Sequence, residues 1–398
     1  MGNPPHSHLP ARHPSFKLFP KVSPLFLFYA FMDGRTTGCR NISEYEIIKP
    51  IGSGTYGIVL LAKDKTYNEL VALKQVRIDD KTVFRDGMPI TALREIKFLM
   101  SFNHSNIVKL LDISIGNSLT DIYLVLEFID HDLAKLMDRF RNNPFFLPEI
   151  KTIFRDLLLA VEALHSRNIL HRDIKMSNLL YSRNGQIKLC DFGLSRQLSL
   201  PSNTLTPNVV TLWYRAPELL LGSEDYTTAI DIFACGAVFA ELLLHRPLFP
   251  ANTEAELAAF FSDNLGVPDE SCSEILQLMK SSEVKILPPK ESRSTKKLYS
   301  KVSTFSKNCK DLLFSMLQYE PSKRPSAADL LQHPFFYEDP LPRPHHSMPK
   351  FDSQFDLLRE SMVKVLRSAP SVTNRKRTWL DAVNSLISME PRIKKSKP

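Results

Sequence analysis

The run His171-Arg172-Asp173-Ile174-Lys175-Met176-Ser177-Asn178 is the most specific string in this chain of 398 residues. Thirteen residues after it the chain reads Asp191-Phe192-Gly193, and Ala216-Pro217-Glu218 follows further on. A single acidic residue or histidine in such a place is usually structural. Three polar motifs in this order instead predict a site that is assembled from separate segments, and the flanking sequence decides which kind of site it is.

Upstream of this run lies a glycine-rich stretch, Gly52-Ser53-Gly54-Thr55-Tyr56-Gly57, which matches G-x-G-x-x-G. In a dinucleotide fold this motif turns a strand into a helix. Here Ile58-Val59-Leu60-Leu61-Ala62 follows and is typical of a strand, which favours a hairpin whose backbone N–H groups approach nucleotide phosphates. Taken alone, the motif leaves a purely structural glycine turn as an equal alternative.

A lysine within an apolar strand favours the phosphate-binding hairpin over the structural turn. Lys74 ends the run Val71-Ala72-Leu73-Lys74, where an ammonium group is costly without anionic partners. Nucleotide phosphates and one carboxylate would supply them. Glu95 is the candidate carboxylate, because it lies in residues 90–102, whose apolar spacing predicts a helix. The alternative for Glu95 is an exposed helix charge.

The order of glycine loop, strand lysine, helix glutamate, HRDxKxxN, DFG and APE resembles that of the eukaryotic protein kinases over residues 45–336. The resemblance implies an α+β, bilobal protein kinase fold, with a small β-rich N-lobe and a larger, mainly helical C-lobe. It also implies phosphoryl transfer from ATP with Mg²⁺. Lys175 is similar to the lysine of the serine/threonine kinases, so Ser and Thr are the expected acceptors.

The resemblance also assigns roles to single residues. Asp173 would accept the proton of the substrate hydroxyl, and Lys175 would neutralise the γ-phosphate. Asn178 and Asp191 would hold the metal, since hard cations take oxygen ligands. The catalytic residues implied in this way are Lys74, Glu95, Asp173 and Lys175.

A nucleotide pocket between the lobes follows from the same resemblance. The backbone groups of Glu127 and Ile129 would bind adenine, and Asp132 would meet the ribose. The ATP-binding residues implied are Ile51, Gly52, Gly54, Gly57, Val59, Ala72, Lys74, Glu127, Ile129, Asp132 and Leu180.

Two further strings resemble the cyclin-dependent kinases of the CMGC group. Residues 209–218 read VVTLWYRAPE, and residues 89–95 read PITALRE, which is most similar to the PITSLRE branch. The resemblance implies a cyclin-dependent-type serine/threonine kinase that acts in cell-cycle or transcription regulation. In that family a cyclin presses the helix that carries Glu95 inward, so a cyclin subunit is the expected partner.

Three arginines on separate motifs predict an activation switch. The kinase fold would bring Arg94, Arg172 and Arg196 together, and converging guanidinium groups need an anion. A phosphate on Thr206, which an upstream activating kinase would add, supplies that charge. Alternatively, each arginine pairs with a nearby carboxylate.

Other regulatory and substrate-binding positions rest on the resemblance alone. Thr55 and Tyr56 match positions where phosphorylation inhibits the family, because added negative charge would misalign the ATP phosphates by repulsion. Alternatively, Tyr56 simply covers the loop. Val209, Val210 and Arg215 match the pocket for a proline after the phosphorylated residue. Protein substrates with Ser/Thr-Pro sites are therefore expected.

Charge and cysteine usage exclude other classes of protein. The net charge of +8 comes from residues 1–43 (+4) and 338–398 (+5), which leaves −1 for residues 44–337. We therefore expect no direct nucleic-acid partner for the central region. Five scattered cysteines predict neither a disulfide framework nor a zinc site. No run approaches the roughly 18 apolar residues of a spanning helix, so no membrane partner is expected.

The chain organisation predicted is a kinase domain with two flanking segments. Residues 1–43 are interpreted as a disordered leader or an over-extended gene model. The domain covers 44–337, with the N-lobe at about 44–129 and the C-lobe at about 130–337. Within it, residues 281–308 are expected to form a surface loop.

Residues 338–398 are predicted to be a basic C-terminal tail. Its clusters at 375–377 and 394–397 are either nuclear-import signals or ordinary solubilising charge. Localisation to the nucleus, with the cytoplasm as a further compartment, is the corresponding expectation.

Two other functions remain as alternatives. One is a pseudokinase, a cyclin-binding scaffold with weak or no turnover. Its usual mark is a lost catalytic residue, whereas Lys74, Asp173, Asn178 and Asp191 are all present. The other is a mitogen-activated-type kinase, although the expected Thr-x-Tyr pair is replaced by Thr204-Leu205-Thr206.

Overall fold

The computed structural model describes residues 39–54, 57–76, 90–116, 121–140, 145–198, 211–288 and 297–352. The chain divides into a unit that ends at Phe351 and a second unit, Asp352–Pro398, of which only Asp352 is described. No helix in the described ranges combines the length and the apolar character that crossing a membrane requires.

The N-lobe is built on a six-stranded sheet. Its strands are β1 (Arg40–Asn41), β2 (Tyr45–Gly54), β3 (Gly57–Asp64), β4 (Leu70–Val76), β5 (Leu110–Ile115) and β6 (Ile122–Glu127). They pair in the order β1-β5-β6-β4-β3-β2. The central strands β4 and β6 are rich in aliphatic residues, and Leu73 of β4 lies opposite Val125 of β6, both fully buried. The predicted strands are confirmed.

In the described part of the N-lobe, helix α1 (Ile90–Ser101) accompanies this sheet. Ala92, Ile96 and Leu99 recur at helical spacing and are buried in the main core cluster. The helix predicted over 90–102 is therefore confirmed, and its buried face brings Glu95 to the sheet.

The C-lobe is mainly helical and begins after the linker that follows β6. Its helices are α2 (Leu133–Arg139), α3 (Leu147–His165), α4 (Pro217–Leu220), α5 (Ala229–Leu244), α6 (Glu254–Leu265), α7 (Ser273–Ser281), α8 (Lys297–Lys301), α9 (Lys307–Met316) and α10 (Ala327–Leu331). Its short strands are β7 (His131–Asp132), β8 (Ile169–Leu170), β9 (Leu179–Tyr181), β10 (Ile187–Leu189) and β11 (Arg196–Gln197). They form a sheet β10-β9-β7 and a ribbon β11-β8. The bilobal α+β fold is thus confirmed.

Helix α5 is the central element of the C-lobe. All of its residues except Leu244 are buried, which is typical of a helix that is surrounded by core on every side. Near its first residue, Ala229, Glu218 and Arg324 form a buried bidentate ion pair, with Nη1–Oε1 at 2.6 Å and Nη2–Oε2 at 2.7 Å. The Arg324 guanidinium also lies 5.0 Å from the ring centroid of Phe233 on α5.

The last residues of the predicted leader, 39–43, belong to the N-lobe in the structure. Residues 39–43 are ordered, because Arg40 and Asn41 pair in parallel with β5. The Arg40 guanidinium also donates to both carboxylate oxygens of Asp64, at 2.5 and 2.9 Å, and lies 4.6 Å from the Tyr45 ring. A two-residue strand is too short for sequence periodicity to reveal.

Two other boundaries also differ from the prediction. The loop expected over 281–308 contains α8, where Leu298 is fully buried, and the start of α9. Residues 338–351, the first part of the predicted tail, contact α3. The buried Lys151 side chain donates to the Glu338 carbonyl at 2.8 Å, which anchors this segment to the C-lobe.

Candidate active site

Lys74 lies at the centre of an ion-pair network between the lobes. Its Nζ is 2.6 Å from Glu95 Oε1 and 2.7 Å from Asp191 Oδ1. Burial disfavours the charged ammonium, but the attraction of the two carboxylates outweighs it and raises the pKa of Lys74. Glu95 is 6% exposed, so it is not the exposed helix charge of the alternative interpretation.

Strand geometry places this lysine on the helix side of the sheet. In β4, Lys74 lies between Val59 of β3 and Leu124 of β6. Successive side chains of a strand point to opposite faces. Leu73 accordingly packs into a separate small cluster on the other face, whereas Lys74 points to the face where α1 presents Glu95.

Asp173 is held by three side chains. Lys175 Nζ is 2.7 Å from Oδ2, and the Asn178 amide donates to Oδ2 at 3.0 Å and to the Asp173 carbonyl at 2.8 Å. Thr211 donates through Oγ1 to Oδ1 at 3.1 Å and accepts from Lys175 Nζ at 3.1 Å. Both carboxylate oxygens of this buried residue therefore have donors, which fixes their orientation.

The backbone that carries Asp173 is anchored to α5. Asp231 accepts the backbone N–H of His171 at 2.8 Å and that of Arg172 at 2.9 Å. Arg172 has φ +66°, a conformation that costs energy for a residue with a side chain. Burial opposes ionisation of Asp231, but hydrogen bonds from His165 and from the loop lower its pKa, so an ionised carboxylate stabilises the strained loop.

His171 links this loop to the DFG segment. Its Nε2 lies 3.1 Å from the Cys190 carbonyl, and its Nδ1 lies 3.3 Å from the Asp173 amide nitrogen. Nδ1 therefore accepts while Nε2–H donates, which requires a neutral ring. Complete burial lowers the pKa of His171, in agreement with this assignment.

The DFG segment is held in the same network. Asp191 has φ +66°, which marks a second strained position at the site. Phe192 is fully buried, with its ring centroid 5.0 Å from that of His171. The Phe192 backbone amide also donates to the Glu95 carboxylate. The motifs from the two lobes thus contact each other directly.

Two oxygen-bearing side chains fit the expected metal ligands. Both amide protons of Asn178 are directed at Asp173, so its Oδ1 is the atom that is oriented for a cation. Asp191 accepts a hydrogen bond from Lys74 through Oδ1, and its second oxygen, Oδ2, is the candidate metal ligand. In the described part of the chain, no group of three or more His, Cys, Asp or Glu side chains could hold a metal ion by itself.

Strand β6 is anchored at its last residue, Glu127, directly before the linker between the lobes. The Glu127 amide donates to the Lys109 carbonyl at 3.0 Å, which directs the Glu127 carbonyl away from this pairing. The Glu127 side chain is held by Lys188 at 2.7 Å and by the Lys109 amide at 2.8 Å. The predicted adenine contacts Ala72 and Leu180 lie on β4 and β9, on either side of this linker.

Asp132, the predicted ribose ligand, also caps α2. Its Oδ1 accepts from the Lys135 amide at 3.2 Å, and burial raises the pKa of its carboxyl group. Lys135 Nζ reaches the Ile51 carbonyl at 3.5 Å, so this turn touches the strand that leads into the glycine loop.

The glycine-rich stretch forms a hairpin, as predicted, and not the start of a helix. Gly54 pairs with Gly57, and Gly52 pairs with Val59. Gly57 has φ +143°, which side-chain-bearing residues rarely adopt. Thr55 and Tyr56 lie outside the described residues.

The three arginines converge as predicted. Burial, together with the charges of Arg196 and Arg172, lowers the pKa of Arg94. Arg172 donates to the Leu194 carbonyl at 2.7 Å and to the Tyr226 hydroxyl at 2.9 Å. Within the described residues no carboxylate forms an ion pair with any of these arginines, which disfavours the alternative of separate carboxylate partners.

The predicted substrate and phosphorylation positions are mostly not placed. Arg215 is described, and its Nη1 lies 2.6 Å from Glu254 Oε1. The others fall outside the described residues; these are Thr55, Tyr56, Thr206, Val209 and Val210.

Sequence reasoning missed Thr211, Tyr226 and Lys188 as members of the site. Thr211 stands in the recognised VVTLWYRAPE string, but its bonds to Asp173 and Lys175 had no local signal. Tyr226 and Lys188 belong to no motif, so only the folded chain brings them to Arg172 and Glu127.

Comparison with known proteins agrees with this geometry. A model of the protein kinase domain matches residues 45–336. A Dictyostelium discoideum protein named "Probable cyclin-dependent kinase 10" is 45% identical over 313 residues, which is 78% of this chain and 84% of that protein. Serine/threonine-protein kinase ppk23 of Schizosaccharomyces pombe is 42% identical over 317 residues, 79% of this chain and 78% of that protein.

A third relative represents the PITSLRE-like branch. Cyclin-dependent kinase 11B of Homo sapiens is 40% identical over 305 residues, which is 77% of this chain but 38% of that longer protein. With the catalytic motifs assembled in one cleft and these identities over most of its length, the chain belongs to the protein kinase family, as a serine/threonine kinase of the cyclin-dependent type.

Proposed function

We propose that this kinase transfers the γ-phosphoryl group of Mg²⁺-bound ATP to Ser or Thr followed by proline, with a cyclin as its partner. The observation that carries the proposal is the convergence of Lys74, Asp173, Asn178 and Asp191 on one cleft. Phosphoryl transfer depends on positioning and charge neutralisation, and these side chains supply both.

In this mechanism Asp173 accepts the proton of the substrate hydroxyl. Its carboxylate is oriented by Thr211 and Asn178, so the acceptor oxygen is presented in a fixed direction. Lys175, which is bound to both Asp173 and Thr211, adds positive charge where the γ-phosphate is transferred. Lys74, which Glu95 orients, binds the α- and β-phosphates.

The side-chain oxygens of Asn178 and Asp191 fit a hard divalent cation and would hold it beside the nucleotide phosphates. Bound Mg²⁺ would neutralise the charge that develops on the phosphates. Asp191 contacts Lys74 directly. The same carboxylate would therefore position the lysine that binds the phosphates and hold the metal. The nucleotide base would bind the Glu127 and Ile129 backbone, between Ala72 and Leu180.

Asp173→Asn tests the catalytic assignment directly. It keeps the shape of the side chain and one acceptor oxygen but removes the basic carboxylate. We expect phosphate transfer to a Ser-Pro peptide to be lost while nucleotide binding persists. A pseudokinase would show no transfer in the wild type either, and equal transfer by both proteins would contradict the assignment.

Activation by phosphorylation of Thr206 follows from the arginine cluster. Arg94, Arg172 and Arg196 lack ion-pair partners among the described residues, and a phosphate brings about two negative charges. We expect Thr206→Ala to lower activity strongly, with Thr204→Ala as the matched control. An upstream activating kinase would add this phosphate. Equal activity of wild type and Thr206→Ala, with the cyclin present, would overturn the switch.

The cyclin and the substrate motif are inferred from the relatives and from the PITALRE helix. Two of the relatives reported above are named cyclin-dependent kinases. Identification of cyclins that co-purify with the full chain tests the partner. Comparison of Ser-Pro with Ser-Ala peptides tests the proline preference and separates this kinase from one that ignores the following residue. Regulation of the cell cycle or of transcription would follow from the cyclin that is found.

Two further proposals concern regulation and localisation. Phosphorylation of Thr55 or Tyr56 would inhibit the enzyme, and phosphomimetic Thr55→Glu should then raise the KM for ATP. The basic clusters at 375–377 and 394–397 would direct the protein to the nucleus. A fluorescent fusion that keeps its nuclear signal after both clusters are changed to alanine would contradict that role.

A further inference from the structure

Residues 338–351 follow the region that the kinase family model matches, and they lie along one face of α3; we call them the C-terminal strap. The fully buried Lys151 donates to the first carbonyl of the strap at 2.8 Å. Further along, the Arg343 carbonyl accepts from Thr152 at 2.6 Å, and the Arg343 guanidinium lies 2.5 Å from Glu149 Oε1. The strap therefore follows a fixed course.

The strap then crosses the turn between β9 and β10. His345 Nε2 lies 3.0 Å from Asp156 Oδ2. At Gly185 in the turn, a Cβ atom would overlap the Met348 side chain and come within 2.8 Å of the His345 carbonyl. The backbone of the turn and the strap are thus in direct contact, which only glycine permits.

Phe351 ends the strap in an aromatic socket. Its ring centroid lies 5.0 Å from that of Phe140, 5.6 Å from that of Tyr181, and 5.9 Å from those of both His131 and Phe145. Two hydrogen bonds fix the backbone here. Tyr181 donates through its hydroxyl to the Pro349 carbonyl at 2.7 Å, and His131 Nε2 lies 3.3 Å from the Phe351 carbonyl.

The β7–β9 strand pair carries socket residues on one face and predicted nucleotide contacts on the other. His131 lies opposite Tyr181, and Asp132 lies opposite Leu180. Neighbouring residues in a strand point to opposite faces. Phe351 therefore packs on the rear of a ribbon whose front carries Asp132 and Leu180. Strand β7 is only two residues long, so its position depends heavily on such packing.

We propose that Phe351 is a positioning residue for the nucleotide, which braces the β7–β9 ribbon so that Asp132 and Leu180 meet the ribose and adenine. This inference rests on the proposed roles of those two residues in ATP binding. Without the brace, the ribbon samples other positions, and the apparent Kd for nucleotide rises in inverse proportion to the fraction that remains competent. The phosphate-binding residues lie elsewhere in the cleft, so chemistry on bound ATP is unchanged.

Phe351→Ala in the full chain tests the proposal, with binding of ADP and Mg²⁺ measured by calorimetry. We expect the Kd to rise by about tenfold, and the KM for ATP to rise with it, while kcat at saturating ATP stays within about twofold. Phe351→Tyr keeps the ring and should restore binding. Tyr337→Ala removes an aromatic ring that is 63% exposed, and it serves as the matched control.

A second ligand separates positioning from general loosening of the protein. 2′,3′-Dideoxy-ADP lacks the ribose hydroxyls that Asp132 would bind. If Phe351 acts through Asp132, the alanine variant should lose much less affinity for this ligand than for ADP. An equal loss for both ligands, or an unchanged Kd for ADP, would overturn the proposal.

Two further outcomes are distinguishable. Failure of the wild type to bind ADP would overturn the proposed function itself, whereas binding by wild type and variant alike removes only the role of Phe351. Should Phe351→Ala not fold, Tyr181→Phe removes only the bond to the Pro349 carbonyl. That variant should raise the Kd for ADP about threefold, and an unchanged Kd would count against the brace.

Discussion

Thr211 donates a hydrogen bond through Oγ1 to Asp173 Oδ1 at 3.1 Å, while it accepts one from Lys175. Thr211 and Asp173 are 38 positions apart in the chain. The hydroxyl thereby ties the segment before the APE motif to the catalytic loop. The orientation of the proposed catalytic base, Asp173, therefore depends on the position of the segment that carries Thr211.

Removal of this hydroxyl should impair catalysis more than folding. Thr211→Val keeps the shape of the side chain but leaves Oδ1 without its donor, so we expect kcat to fall roughly tenfold to a hundredfold. Steady-state kinetics at saturating ATP measures this. Thr211→Ser should retain most of the activity, and a valine variant as active as the wild type would show that the bond is dispensable.

Asp231 should prove necessary for both activity and stability. Asp231→Asn leaves one acceptor oxygen for two loop amides, one of which belongs to the strained Arg172. We expect a loss of about 1–3 kcal/mol in the free energy of unfolding and a lower kcat. Denaturant unfolding and kinetics check the two effects, with the exposed Asp225→Asn as control. Unchanged stability would contradict the anchoring role.

Glu218→Gln should destabilise the C-lobe strongly. It leaves the buried Arg324 charge without its carboxylate, and breaking such a pair costs roughly 3–5 kcal/mol. Thermal or denaturant unfolding measures it. Glu254→Gln, which breaks the more exposed pair with Arg215, should cost no more than about 1 kcal/mol. Similar losses for the two variants would contradict this ranking.

The His345–Asp156 contact should make strap docking depend on pH. The hydrogen bond with Asp156 raises the pKa of His345 above its ordinary value, against the opposing effects of burial and of Arg155. The stabilisation is therefore complete below the unfolded pKa of about 6.5 and is lost as pH rises through the higher folded value. His345→Gln should thus differ from the wild type most at low pH.

Unfolding measured between about pH 5.5 and 8 checks this. The difference should stay within about 1 kcal/mol, because exposed ion pairs contribute little. A difference between His345→Gln and wild type that grows with pH would have the wrong sign.

The motif-bearing residues show how much of the site was predictable. Lys74, Glu95, Asp173, Asn178 and Asp191 were identified from short strings, because phosphoryl transfer needs those residue types in that order. The structure places all five in one cleft. The glycine hairpin was also predictable, since apolar strand residues follow the last glycine.

Boundaries and partners were less predictable. Residues 39–43 looked like a leader and 338–351 like a tail, since neither has periodicity or a motif. Their order arises from contacts with distant parts of the chain, such as Arg40 with Asp64 and Lys151 with the Glu338 carbonyl. Sequence patterns reveal local periodicity of polar and apolar residues. Contacts between distant parts of the chain produce no such periodicity.

The sequence by itself determined the chemistry of this protein, because the carboxylates of Asp173 and Asp191, the amide of Asn178 and two lysines stand in short motifs that can be recognised without the fold. Only the tertiary structure decided what holds them in place. His171 meets Asp231 across 60 residues, and His131 meets Phe351 across 220. Such pairs form only where the packed core brings distant backbone together, so their partners are set by the path of the chain and not by neighbouring letters.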